Sequence, residues 1–155
     1  QRQMPHLLSI HLVEHYPIAH WQHKNRTKLI DDTGDVIDDE TVNEKEDLLV
    51  VTGLKAPAAT PSLMAALRIY PDLKQRVTGA MYISQRRWDI ILDNKIRIKL
   101  PEENLQDALG FFKSLEETYV LKPESIVHID MRHGQRAYIR YKTRPATSNK
   151  PTKQA

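Results

Sequence analysis

Two short runs near the middle of the chain restrict its fold more than any other feature. Trp88, Ile90 and Leu92 alternate with other residues, Ile96, Ile98 and Leu100 do the same, and Asp93-Asn94 lies between the runs. A period of two marks strands with one buried face, and Asp-Asn is tight-turn chemistry, so the pair predicts a β-hairpin. The period then changes. Leu105, Ala108, Leu109, Phe112, Leu115 and Tyr119 recur at three and four residues, which predicts a helix over 101–118 with Pro101 in its first turn. A chain of 155 residues with an apolar share of 40% can bury both faces in one core.

The flanks add weaker elements. Val127, Ile129 and Met131 face one way and His128, Asp130 and Arg132 the other, as in a strand. His133-Gly134-Gln135 turns the chain into a last strand over 136–142, where Ala137, Ile139 and Tyr141 alternate with Arg136, Tyr138 and Arg140. Upstream, 80–85 and 48–51 read as strands, the second ended by Gly53. Apolar pairs around Asp32-Thr33-Gly34 predict a small hairpin, and the acidic stretch to Asp47 a loop. Leu8 to Leu12 alternates as a strand closed by Pro17. Pro57 to Pro61 reads as linker, and 62–69 as a short helix with Leu63, Ala66 and Leu67 on one side, ended by Pro71. From Thr143 the composition predicts disorder. The sum is a mixed domain of strands and helices with its final hairpin at the C-terminal end.

Several chemistries are excluded. The absence of cysteine removes disulfides, zinc–thiolate sites and cysteine nucleophiles. No run approaches the roughly 18 apolar residues of a membrane span, so the expectation for this region is solubility. The start at Gln1 suggests the body of a longer chain whose targeting segment is missing. Asp32-Thr33-Gly34 is the triplet of aspartic proteases, but that dyad needs two facing copies and Asp35 follows the glycine. Its glycine also comes too early for a calcium loop. Five histidines fall within the first 23 residues, but His11 and His15 on a strand stand about 13 Å apart, too far for one metal. His128 has Asp130 two residues on but no nucleophile beside it. No catalytic residue, metal site or cofactor is assigned.

Charge is uneven. Asp31 to Asp47 holds nine acids against Lys45, whereas from Arg132 onward there are seven bases and no acid, within a net charge of +3. Arg86-Arg87 before Trp88, with the basic tail, supplies the alternative reading of a nucleic-acid-binding module.

Four segments together resemble the extracytoplasmic region of the bacterial division family FtsQ, called DivIB in Gram-positive bacteria. They are Ile10 to Trp21, Leu29 to Val36, Arg86 to Leu100, and Ile129 to Arg132 with the strand after it. The first looks like the junction between that family's POTRA domain and its β domain. The resemblance implies an α+β fold, mostly antiparallel sheet with flanking helices, preceded by a remnant POTRA strand. Its domains would be 1–16 as the end of a POTRA domain, 17–142 as the β domain, and 143–155 as a tail. It implies a non-enzymatic divisome scaffold in the inner membrane, with one transmembrane helix absent here and this region in the periplasm. The implied partners are FtsB and FtsL in a ternary complex and FtsW/FtsI-type septal synthases, with no nucleic acid. A strand of FtsB would add to the last β-strand beside basic residues. Carried over, Arg132 matches an arginine closing the Asp-x-Arg strand, and Arg86 or Arg87 matches a partner-contacting arginine. His133 and Tyr141 stand at or near aromatic positions, and Gly134-Gln135 replaces the family's Ser-Gly. The implied partner-binding set is thus Arg86, Arg87, Arg132, His133, Gly134, Gln135, Arg136, Ala137, Tyr138, Ile139 and Tyr141. An edge strand does offer unpaired N–H and C=O groups to a partner, although charges such as Arg136, Arg140 and Lys142 also keep unpaired edges from aggregating.

Overall fold

The structure is a computed structural model and describes residues 15–37, 48–119 and 123–142. The expected strand over 8–12, the acidic loop over 38–47 and the tail over 143–155 lie outside the described residues.

The central hairpin forms as its pattern requires. Strand β6 (Arg87–Leu92) pairs antiparallel with β7 (Arg97–Lys99), with Ile90 opposite Ile98. Trp88, Ile90, Leu92, Ile96, Ile98 and Leu100 are all buried. Strands β1 (Pro17–His23), β2 (Arg26–Asp31), β3 (Val36–Ile37), β4 (Leu49–Thr52), β5 (Val77–Ile83), β8 (Ile126–Asp130) and β9 (Tyr138–Tyr141) complete the sheet. Its order among the described residues is β3-β2-β1-β4-β5-β6-β7-β8-β9. Five of the eight pairings are antiparallel; β1–β4, β4–β5 and β7–β8 are parallel. Helices α1 (Ala56–Arg68), α2 (Pro71–Arg76) and α3 (Leu105–Thr118) supply Leu63, Leu67, Leu73, Leu109 and Phe112 to the core. One apolar row crosses the sheet through paired positions: Trp21, Val51, Ala80, Ile90, Ile98, Ile129 and Ile139.

Four expectations need correction. Residues 57–61 are not a linker but the first turns of α1. Pro57 occupies the first turn, where an N–H has no helical partner, and the surrounding alanines are the best helix formers. The Thr60 hydroxyl donates to the Ala56 carbonyl at 2.8 Å. Helix α3 starts at Leu105, not Pro101, because Asn104 sits in the left-handed region at φ 57° and the Ala108 amide makes its bond to the Asn104 carbonyl. Strand β5 covers 77–83; Ser84 and Gln85, at φ 52° and 56°, form a turn closed by the Arg86 amide to the Ile83 carbonyl at 3.2 Å. Val127 is exposed rather than facing the core with Ile129, because the register shifts between Ile126 and His128.

The Asp-Thr-Gly segment is structural. Asp31, not Asp32, is the buried carboxylate, and it accepts from the Thr33 amide (3.0 Å), the Thr33 hydroxyl (2.7 Å) and the Asp35 amide (2.8 Å). His15 completes the set. Burial works against its charge, but these bonds outweigh it and hold the Asp31 carboxyl well below the usual carboxylate range. The acids therefore close the β2–β3 turn. Gly34 within it, at φ 93°, lies against the start of α1, where a Cβ would come within 3.0 Å of the Pro57 carbonyl oxygen.

Candidate functional site

Among the described residues strand β9 is an open edge: it pairs with β8 and has no strand beyond it. The Lys142 amide donates to the Ser125 carbonyl at 2.7 Å. Antiparallel pairing alternates, so Tyr138 and Arg140 turn their amides to β8, while Ile139 and Tyr141 turn theirs outward. The strand covers 138–141 rather than 136–142, and of the side chains expected on its apolar face Ile139 is half-buried while Tyr141 at its end is exposed. Ala137 and Ile139 are half-buried against the core; Arg136, Tyr138 and Arg140 are exposed.

Two grooves meet at Phe111 near this edge. One, of about 590 Å³, lies between α3 and β9 and is lined by Phe111, Leu115, Tyr119, Ala137, Ile139 and Tyr141. The other, of about 620 Å³, brings Arg86 and Arg87 together with Arg132, Gly134 and Gln135, and Phe111 lines it too. Residues some 45 positions apart in sequence thus share one surface. His133 and Tyr138 sit apart from both, ring to ring edge-on at 6.1 Å, with Arg136 on the neighbouring surface. Gly134, at φ 69°, lets the chain reverse and has open space on its Cβ side. The three-and-four spacing of Leu115 and Tyr119 predicts burial and says nothing of Phe111, and only tertiary placement leaves all three lining a groove. Glu102 likewise enters its groove only through tertiary placement.

Each arginine in the second groove has its own acid. Arg87 pairs with Asp89 at 3.3 Å with side chains 14% and 4% exposed. Burial pushes the Asp89 carboxyl up, against the pull of Arg87, Arg97, Lys99 and Arg132. Arg132 holds Asp130 through Nε at 2.9 and 3.1 Å, Nη2 at 2.7 Å and its own amide at 3.2 Å. Those bonds hold the Asp130 carboxyl down at about 2 and raise the Arg132 guanidinium. At 42% exposure Arg132 is a surface arginine locked to its neighbour, with Asp130 at 13%. Arg86 meets Glu102 at 3.0 Å, with exposures of 63% and 49%.

No group of three metal-binding side chains converges among the described residues. No described helix is long and apolar enough to cross a membrane.

The chain matches the family described as cell division protein FtsQ/DivIB, C-terminal, over residues 19–132. It is 35% identical over 136 residues to the cell division protein FtsQ of Bartonella bacilliformis, covering 88% of this chain and 44% of that protein. Against FtsQ of Rickettsia prowazekii (strain Madrid E) it is 34% identical over 138 residues, 89% of this chain and 51% of the relative. The chain thus spans about half the length of these curated relatives. Among solved structures, the major extracytoplasmic domain of DivIB from Geobacillus stearothermophilus aligns with a TM-score of 0.43 at 15% identity, over 61% of this chain and 82% of that one. With the family match running through β1 to β8 and relatives a third identical along nearly all of its length, the chain belongs to the FtsQ/DivIB family of cell division proteins.

Proposed function

We propose that this domain is a non-enzymatic divisome scaffold whose β9 edge takes up an extended strand of FtsB, with FtsL in the same complex. Through that complex it links early division proteins to FtsW/FtsI-type septal synthases. The domain works in the periplasm, and a single transmembrane helix outside these residues holds the protein in the inner membrane. The observation that carries this reading is the open edge itself: outward backbone groups at Ile139 and Tyr141, with an apolar groove along α3 and, next to it, one lined by arginines. Backbone pairing supplies affinity, and alternate side chains of the added strand enter the α3–β9 groove for specificity. Acidic residues beside that strand meet Arg86 and Arg132.

An NMR titration of labelled protein with a peptide from the periplasmic region of the cognate FtsB tests it. Shifts concentrated on 132–142, Phe111, Leu115 and Arg86 are expected; shifts elsewhere, or none, would sink it. At 42% exposure and bonded to Asp130, Arg132 offers the partner a partly exposed charge rather than a buried anchor. Arg132→Ala should weaken the peptide about three- to tenfold, as for a partly exposed charge contact. A change of less than threefold would mean that Arg132 serves Asp130 rather than the partner.

A further inference from the structure

We infer that Glu102 is a specificity-determining residue: in the free domain its carboxylate occupies the place on Arg86 that an acidic partner takes. The inference rests on the edge-binding reading above and names what that surface must exchange in order to bind. Of the three arginines, Arg87 cannot leave Asp89 without stranding a buried carboxylate, and Arg132 is fixed to Asp130 by four hydrogen bonds. Arg86–Glu102 is different. Both side chains are about half exposed and joined by a single contact, the kind of pair that water and salt loosen readily.

Their placement fits a competition. Arg86 follows the tight Ser84-Gln85 turn, whose two left-handed residues fix the start of its side chain. Glu102 lies between β7 and α3, and Glu103 and Asp107 line the same groove. Three acids therefore face any incoming segment, and a partner must bring enough negative charge to displace Glu102 against them. A neutral strand that fits the edge leaves the Arg86–Glu102 pair in place and gains nothing from Arg86, whereas an acidic one gains Arg86 only by displacing Glu102 against the repulsion of its neighbours. Of the two arginines that sequence left open, Arg86 is then the one that meets the partner, and Arg87 positions the strand beneath it.

Binding of two fluorescent peptides tests this, one from the periplasmic region of the cognate FtsB and one of six glutamates, each against wild type, Glu102→Gln, Glu103→Gln, Arg86→Ala and the Arg86→Ala/Glu102→Gln double variant. Glu102→Gln should tighten the FtsB peptide three- to fivefold at moderate salt. Glu103→Gln, with the same change in net charge, should alter it less than twofold, and the gain should vanish when Arg86 is alanine. The inference is overturned if Glu102→Gln gains no more than Glu103→Gln, or if its gain survives without Arg86. Should the FtsB peptide bind none of the proteins while hexaglutamate reproduces the pattern, Glu102 keeps its role and strand addition falls. If neither peptide separates the variants, the inference is overturned. Thermal melts accompany each variant, and all of these exposed substitutions should leave the transition in place.

Discussion

Replacing Ile139 by proline should weaken the FtsB peptide at least tenfold, and by up to about a hundredfold, without unfolding the domain. The Ile139 amide points away from β8, so proline removes a donor that the isolated sheet does not use. The added strand loses that bond and meets the pyrrolidine ring in its path, which together are worth roughly 1.5–3 kcal/mol. Arg140→Pro is the contrasting variant. Its amide faces β8, so it should lower the melting temperature as well as binding. Calorimetric titration alongside thermal melts separates the two effects. If Ile139→Pro binds as wild type does, the partner docks elsewhere on the domain.

Asp31→Ala should destabilise the domain by about 3 kcal/mol and lower its melting temperature by about 6–12 °C. The loss removes the buried acceptor shared by the amides of Thr33 and Asp35 and the Thr33 hydroxyl, and with it the bonds that close the β2–β3 turn. The same carboxylate makes stability depend on pH. Its folded pKa lies below the unfolded value of about 4, so its contribution is complete above that value and is withdrawn as the pH falls beneath it. Melts at pH 7 and pH 3 should therefore show a wide gap between wild type and variant that narrows in acid. An equal gap at both values would mean that packing, rather than the ionised carboxylate, carries the effect.

The β6–β7 hairpin and the body of α3 were legible because their apolar periods are unbroken and their burial follows those periods. Strand β1 was not. Pro17 read as the end of a preceding strand, whereas it opens β1, at a strand's first position, and the following Ala-His-Trp-Gln-His does not look like a strand buried between two neighbours. Pro57 and Pro61 likewise read as breakers, although one lies in a first turn and the other is tolerated inside α1. Ser84-Gln85 lacks the Asn-Gly signature of its turn type, which let the reading of β5 run two residues too far. At the candidate site, the contiguous stretch 132–141 could be read from sequence alternation and family resemblance. Its complement could not. Phe111 and Leu115 come from a helix whose pattern announces only burial, and the Arg86–Glu102 contact joins two loops that no local pattern relates.

The apolar row that runs from Trp21 to Ile139 has a consequence for any strand that lengthens the sheet. Because it reaches the outermost strand without interruption, the sheet reads the newcomer by parity. Sliding the newcomer by one residue would turn its oily side chains to water and its polar ones onto the row, so odd offsets are forbidden and even ones merely strained. Recognition at such an edge is a reading frame, set by seven strands in series rather than by the last one alone.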